Sequence, residues 1–204
     1  MEEKNKKIVW EPTAIVNPVP PTLVTCGTVE SPKVLTIAWT GILNTKPSMT
    51  YISVRPERYS YETIDKSGEF VINLATKDIV KAVDFCGVRS GSRVDKFKET
   101  GLTVQSAQKI KSPIIKQCPI NIECKVKEKI ELGSHHMFIA EVVCVNVDES
   151  LIDKDGKLHL DKSGILAYAH GEYFELGKKL GSFGYSVMKK KTINKRRYNK
   201  NTPK

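Results

Sequence analysis

The sequence predicts a mainly β domain in which an antiparallel sheet closes into a small barrel, with a few short helices. Three observations carry this. Residues 122–130 alternate: Ile122, Cys124, Val126 and Ile130 are interleaved by Glu123, Lys125, Lys127 and Lys129, the period of two that marks a strand wetted on one face. Residues 137–147, MFIAEVVCVNV, are almost continuously apolar and β-branched, as in a strand covered on both faces. Four shorter apolar runs, 22–28, 34–39, 49–54 and 70–74, are separated by Gly, Pro, Asn and Ser at the spacing of connected antiparallel strands.

The elements follow in order. The runs 22–28 and 34–39 are the first strands, and the stretch from Leu35 to Ile64 adds another strand before a loop that leads into a helix. Ser60 can cap that helix, which extends through Lys66. Thr76-Lys77-Asp78 can open a second helix, with Ile79, Val80, Val83 and Cys86 at helical spacing. The two long apolar segments join through Leu132-Gly133-Ser134 as one hairpin, and Glu128 is the single break in the apolar row of its first strand. Closing this many strands into a barrel removes exposed edges.

The chain has 204 residues with 40% hydrophobic content, enough for one compact domain. Its net charge of +10 invites a polyanion-binding reading, but the charge is unevenly placed. Residues 189–204 hold eight basic residues and no acid, leaving 25 basic against 23 acidic before them. We therefore expect an N-terminal extension over 1–11, one domain over 12–188, and a disordered basic tail over 189–204. Such a tail can bind nucleic acid non-specifically; as the main function, a polyanion-binding module through the tail is the reading from another class. No apolar run reaches the length of a membrane span, and the first residues lack a secretory signal, so a cytoplasmic protein without membrane attachment is expected. Five cysteines with no CxxC pair read as reduced thiols. Cys118 and Cys124, six residues apart, would share a strand face, but without further ligands they define no metal site.

The segment Ser53-Val54-Arg55-Pro56, followed by Arg58, Tyr59 and Ser60, carries the most chemistry. An arginine at a strand end, loop hydroxyls and a helix N-terminus all offer donors or positive potential to a phosphate. The same residues also read as a surface arginine beside a capped helix. Trp39 reads as a core residue, His135 as a solvated turn histidine, and Lys96 as a loop lysine, unless something else gathers them.

A family resemblance gathers them. Ala38-Trp39-Thr40-Gly41, the run from Ser53 to Tyr61, Ser67 to Leu74, Cys86-Gly87-Val88-Arg89-Ser90-Gly91 with Asp95-Lys96-Phe97, Gly133 to Phe138, and Gly181 to Val187 resemble the flavin-reductase-like, FMN-binding split-barrel family, in its flavoredoxin branch. The resemblance spans roughly 12–188. It implies a Greek-key split β-barrel that forms a homodimer and binds FMN. It also implies an oxidoreductase that takes electrons from NADH or NADPH and passes them to free flavin, a metal complex or a protein acceptor. A flavoredoxin-like carrier reduced by a partner protein is the alternative within the same fold. By residue, it implies Ala38, Trp39, Thr40 and Gly41 beside the flavin ring, and Arg55 and Ser60 at the phosphate with Ser53 and Tyr61 as neighbouring donors. Ser90 and Lys96 then fall on the ribityl and phosphate side, and His135 faces the nicotinamide. No GxGxxG motif is present, so a nicotinamide nucleotide would dock over the flavin rather than in a fold of its own.

Overall fold

The computed structural model describes residues 7–188; the basic tail lies outside the described residues. The strands are β1 (Thr22–Gly27), β2 (Pro32–Ile37), β3 (Thr40–Thr45), β4 (Ser48–Val54), β5 (Glu69–Leu74), β6 (Val104–Gln105), β7 (Ile114–Ile115), β8 (Ile120–Glu131), β9 (His136–Val147), β10 (Leu166–Ala169) and β11 (Glu172–Glu175). The α-helices are α1 (Tyr61–Ser67), α2 (Val80–Val88) and α3 (Lys96–Thr100). Seven strands form one antiparallel sheet in the order β2-β1-β5-β8-β9-β4-β3, and contact between β2 and β4 curls it toward closure.

Each run of apolar residues has a place in two cores. Val24, Leu35, Ile37, Ile52, Phe70 and Phe138 fill the barrel. Leu23, Val34, Val83, Cys86, Leu102 and Ile115 pack on the outside of the sheet, beneath α2. Strand β1 has alternate residues in the two cores, Leu23 in one and Val24 in the other, which explains an apolar run without alternation.

The long hairpin forms with three differences from its sequence pattern. The break at Glu128 coincides with a bulge between Val126 and Glu128, where Lys127 is left over and the register shifts. Glu123, expected on the wet face, is fully buried. Its carboxylate accepts the Gln108 and Lys109 backbone N–H groups at 2.8 and 2.7 Å and Asn146 Nδ2 at 2.8 Å, so the loop before β7 covers it. Strand β9 is less covered than its composition suggests: Phe138 and Ala140 are buried, while Val145 is half exposed. Cys118 and Cys124 do not share a face, because Cys118 precedes β8 and packs in the outer core whereas Cys124 packs inside the barrel.

Candidate functional site

A cleft of about 360 Å³ opens where the β2–β3 connection, the end of β4, the C-terminal turn of α2, the β8–β9 turn and the β10–β11 hairpin converge. Ala38, Trp39, Ser53, Arg55 and His135 line it, together with Arg58. A smaller cavity of about 190 Å³ adjoins it, lined by Ser60, Ser90 and Lys96. Leu35, Arg58 and Val88 line both, so the two are one groove. Its wide end has an indole and aliphatic walls; its narrow end has the hydroxyls of Tyr59, Ser60 and Ser90, the Lys96 ammonium, the Arg58 and Arg89 guanidiniums and the Glu57 carboxylate.

Local structure explains the placements. Between β2 and β3 the chain turns sharply: the Thr40 N–H donates to the Ala38 carbonyl at 3.1 Å, and the Ser53 N–H donates to the Trp39 carbonyl at 2.9 Å. The turn holds the Trp39 ring at the cleft, 37% exposed, rather than in the core. Arg55 follows β4 and stays exposed, with Glu57 at 3.6 Å as a loose partner. Arg58 Nη2 donates to the Gly87 carbonyl at 2.9 Å, tying the loop to the end of α2. Burial first, and then the neighbouring Arg55 cation, lower the Arg58 pKa. A guanidinium disfavoured by burial and by a neighbouring cation favours an anion beside it. Burial, followed by the Arg55 charge, likewise holds the His135 imidazole below its ordinary range, and Ser134 Oγ lies 3.0 Å from His135 Nδ1.

Four of the residues named from the sequence are placed differently. Ser60 precedes α1 but has a helical backbone and makes no side-chain cap bond. The Tyr61 N–H is taken by the Arg58 carbonyl at 2.8 Å. The seven-residue helix therefore presents fewer free donors than the sequence suggests, and the side chains carry the narrow end. Tyr61 turns away from both cavities: its hydroxyl meets His136 Nδ1 at 2.6 Å and its ring packs on Phe138. Thr40 and Gly41 lie on β3 outside the lining, the Thr40 hydroxyl donating to the Tyr51 carbonyl and the Gly41 carbonyl accepting from Thr50 Oγ1 at 2.8 Å. A side chain at Gly41 would meet the Tyr51 ring at 3.3 Å.

Lys96 is the most constrained of the set. It is 6% exposed, and its ammonium donates to the carbonyls of Val34 at 2.9 Å and Cys86 at 2.7 Å, bridging β2 to the end of α2. Burial pulls its pKa down to about 8. Two of its three donors are committed to the fold, leaving one for a ligand. The adjoining loop needs Gly91, because a Cβ there would lie 2.7 Å from the Tyr59 ring.

Sequence reading carried Arg58 only as part of the loop motif, and missed Asp84, Tyr168 and Tyr173, which complete the cleft. The two tyrosines flank a two-residue turn in which His170 and Gly171 have φ of 49° and 91°, a hairpin signature that marks position but not function. That hairpin is pinned by paired backbone bonds between Val19 and Tyr168 at 2.9 and 2.8 Å.

A barrel with a ring-sized apolar cleft opening onto a cationic pocket defines a site for a planar, phosphate-bearing cofactor. A flavin suits it: Trp39 and the aliphatic wall match a ring, and Arg58, Ser60, Ser90 and Lys96 match a phosphate-bearing side arm. Residues 16–177 match the flavin reductase like domain. The chain belongs to the flavin-reductase-like family, a mainly β split-barrel fold. An uncharacterized protein of Archaeoglobus fulgidus is 32% identical over 146 residues, 72% of this chain and 81% of that protein. Among solved structures, flavoredoxin of Desulfovibrio vulgaris (Miyazaki F) is 30% identical with a TM-score of 0.83, covering 90% of this chain and 100% of that one. Flavoredoxin from Methanosarcina acetivorans is 28% identical with a TM-score of 0.80 over the same shares. Membership carries a flavin-associated redox function. Among the described residues, no helix is long and apolar enough to cross a membrane.

Proposed function

We propose that the protein is an FMN-binding oxidoreductase that accepts electrons from NADH or NADPH and delivers them to free flavin, a metal complex or a protein acceptor. The observation that carries this is the joined groove, an indole-walled cleft continuous through Arg58 with a cavity of convergent donors. When bound, FMN supplies two-electron acceptance from a hydride donor and its return to an acceptor. The protein's residues bind and orient. Arg58 and the free Lys96 donor neutralise a phosphate dianion, Arg55 adds positive potential from the adjoining cleft, Ser60 and Ser90 offer hydroxyls, and Trp39 limits one side of the ring site. Burial and then the Arg55 charge lower the His135 pKa, which favours its neutral form where a nicotinamide would approach.

The test is the absorption spectrum of the purified protein before and after anaerobic NADH or NADPH. Flavin bands that bleach support the reading, whereas protein that neither carries nor takes up FMN ends it. The likeness to two flavoredoxins favours a second reading, a carrier whose flavin is reduced by a partner protein. Steady-state NAD(P)H oxidation separates the two.

The protein works, in this reading, as a cytoplasmic homodimer. Ile42 and Leu43 are exposed on the edge strand β3, and Val145 on the half-covered β9, leaving apolar surface for a second copy. Five free cysteines suit a reducing compartment. Sedimentation of the flavin-loaded protein reads the oligomeric state directly, and a monomer would refute this part.

A further inference from the structure

The groove continues past the cleft. A third cavity, about 500 Å³, lies across a wall made by Asp84, Val88 and Tyr173, which line both spaces. The Tyr173 hydroxyl donates to Asp84 Oδ1 at 3.3 Å and braces that wall. Helix α2 and its cap supply the other side: Lys81, Phe85 and Arg89 are spaced four apart and Val88 lies three after Phe85, so they border one helix face. Two cations thus bracket a half-buried aromatic ring, about 12 Å apart along the helix axis. Neither Lys81 nor Arg89 forms an ion pair among the described residues. Val88, at the crest between the spaces, is 72% exposed, an apolar side chain left open among the described residues.

A ring between two unpaired cations, next to a redox-cofactor cleft, is suited to a nucleoside phosphate. The ring stacks on a base and the cations meet phosphate oxygens. Asp84, the carboxylate facing this cavity, can accept from a ribose hydroxyl and so need not repel the ligand. We infer that the adenylate half of the nicotinamide nucleotide donor is held in this third cavity by Lys81, Phe85 and Arg89, with its dihydronicotinamide turned into the cleft. This rests on the reading of the cleft as a flavin site reduced by NAD(P)H. The dihydronicotinamide loses a hydride, two electrons with one proton, to the flavin and leaves as the oxidised nucleotide.

The experiment compares three donors on flavin-loaded protein: NADPH, NADH and 1-benzyl-1,4-dihydronicotinamide, which has no adenylate half. Arg89 also lines the narrow cavity, so the variant is Lys81→Ala, for which KM for the dinucleotides should rise about 5-fold, equivalent to about 1 kcal/mol. Flavin content and the rate with the benzyl donor should stay at the parent level. Phe85→Leu, which keeps an apolar side chain on that helix face but removes the ring, should show the same pattern more weakly. A larger rise for NADPH than for NADH places the 2′-phosphate between the cations, and equal rises place the diphosphate there; both support the assignment. Unchanged KM for both dinucleotides overturns it, as does an equal loss with the benzyl donor. If the parent protein is reduced by the benzyl donor but by neither dinucleotide, the third cavity is not a nucleotide site although the flavin cleft stands. If none of the three donors reduces bound flavin, the NAD(P)H oxidoreductase reading fails as well.

Discussion

Arg58→Ala should weaken FMN binding far more than riboflavin binding. The guanidinium has five N–H donors, and the Gly87 carbonyl engages one nitrogen at 2.9 Å, leaving further donors on a side chain that lines both cavities. A charge-assisted hydrogen bond is worth about 1.5–3 kcal/mol, which corresponds to about 10- to 150-fold in Kd. Because Arg58 is half-buried, its charge is only partly screened by water, so even the lower bound should be measurable. The assay is titration of apoprotein with FMN and with riboflavin, followed by quenching of flavin fluorescence, alongside a thermal melt. Riboflavin shares the ring and side arm but lacks the phosphate, so it reports the general loss of shape that follows release of the Gly87 carbonyl. Arg58→Lys should recover part of the FMN affinity, since charge returns without the planar fork. Equal losses for FMN and riboflavin, or an FMN loss below about threefold, would refute the phosphate role.

Three further outcomes follow from buried groups. Lys96 has a folded-state pKa of about 8, below its ordinary 10.5, so between those values the unfolded chain binds a proton the folded chain lacks. Stability should therefore rise with pH across that window, by up to about 3 kcal/mol from this group, and denaturant melts of Lys96→Met should lack that component. Burial pushes the thiols of Cys26, Cys118 and Cys124 up to about 12 and that of Cys86 to about 11. A thiol reagent at pH 8 should modify Cys144 alone in the native protein and all five cysteines after denaturation; rapid native modification of several would contradict the packing. Glu123→Gln sets an amide N–H against the Lys109 N–H in place of an acceptor, and should cost about 2–4 kcal/mol in a urea melt while flavin affinity is retained. A change below about 1 kcal/mol would mean that the loop is held by other contacts.

Much of the barrel was legible because strand patterning is local. Alternation in β8, the apolar run of β1 and the helical spacing from Ile79 to Cys86 are each written within ten residues or so. The misreadings share a different cause. Glu123 looked solvent-facing because alternation records which face a residue takes, not whether a distant loop covers that face. Cys118 and Cys124 looked paired in orientation because the start of β8 at Ile120 is not visible in composition. Ser60 looked like a helix cap because its residue type is right, but its backbone is helical and the Arg58 carbonyl takes the next N–H.

By itself, the sequence determined that a β-rich barrel would form and that Arg55, Arg58 and Ser60 would sit in one short loop, since neighbours in the chain cannot be far apart in space. It also carried the family motifs that point to a flavin. Only the tertiary structure decided what those side chains are free to do. Lys96 finds its carbonyl partners 62 and 10 residues away, Arg58 finds Gly87 29 residues on, and Tyr168 and Tyr173 reach the cleft from a hairpin near the far end of the domain. Hydrogen-bond capacity is finite, so a donor's role depends on which partners packing brings within about 3 Å, and packing is a property of the whole barrel.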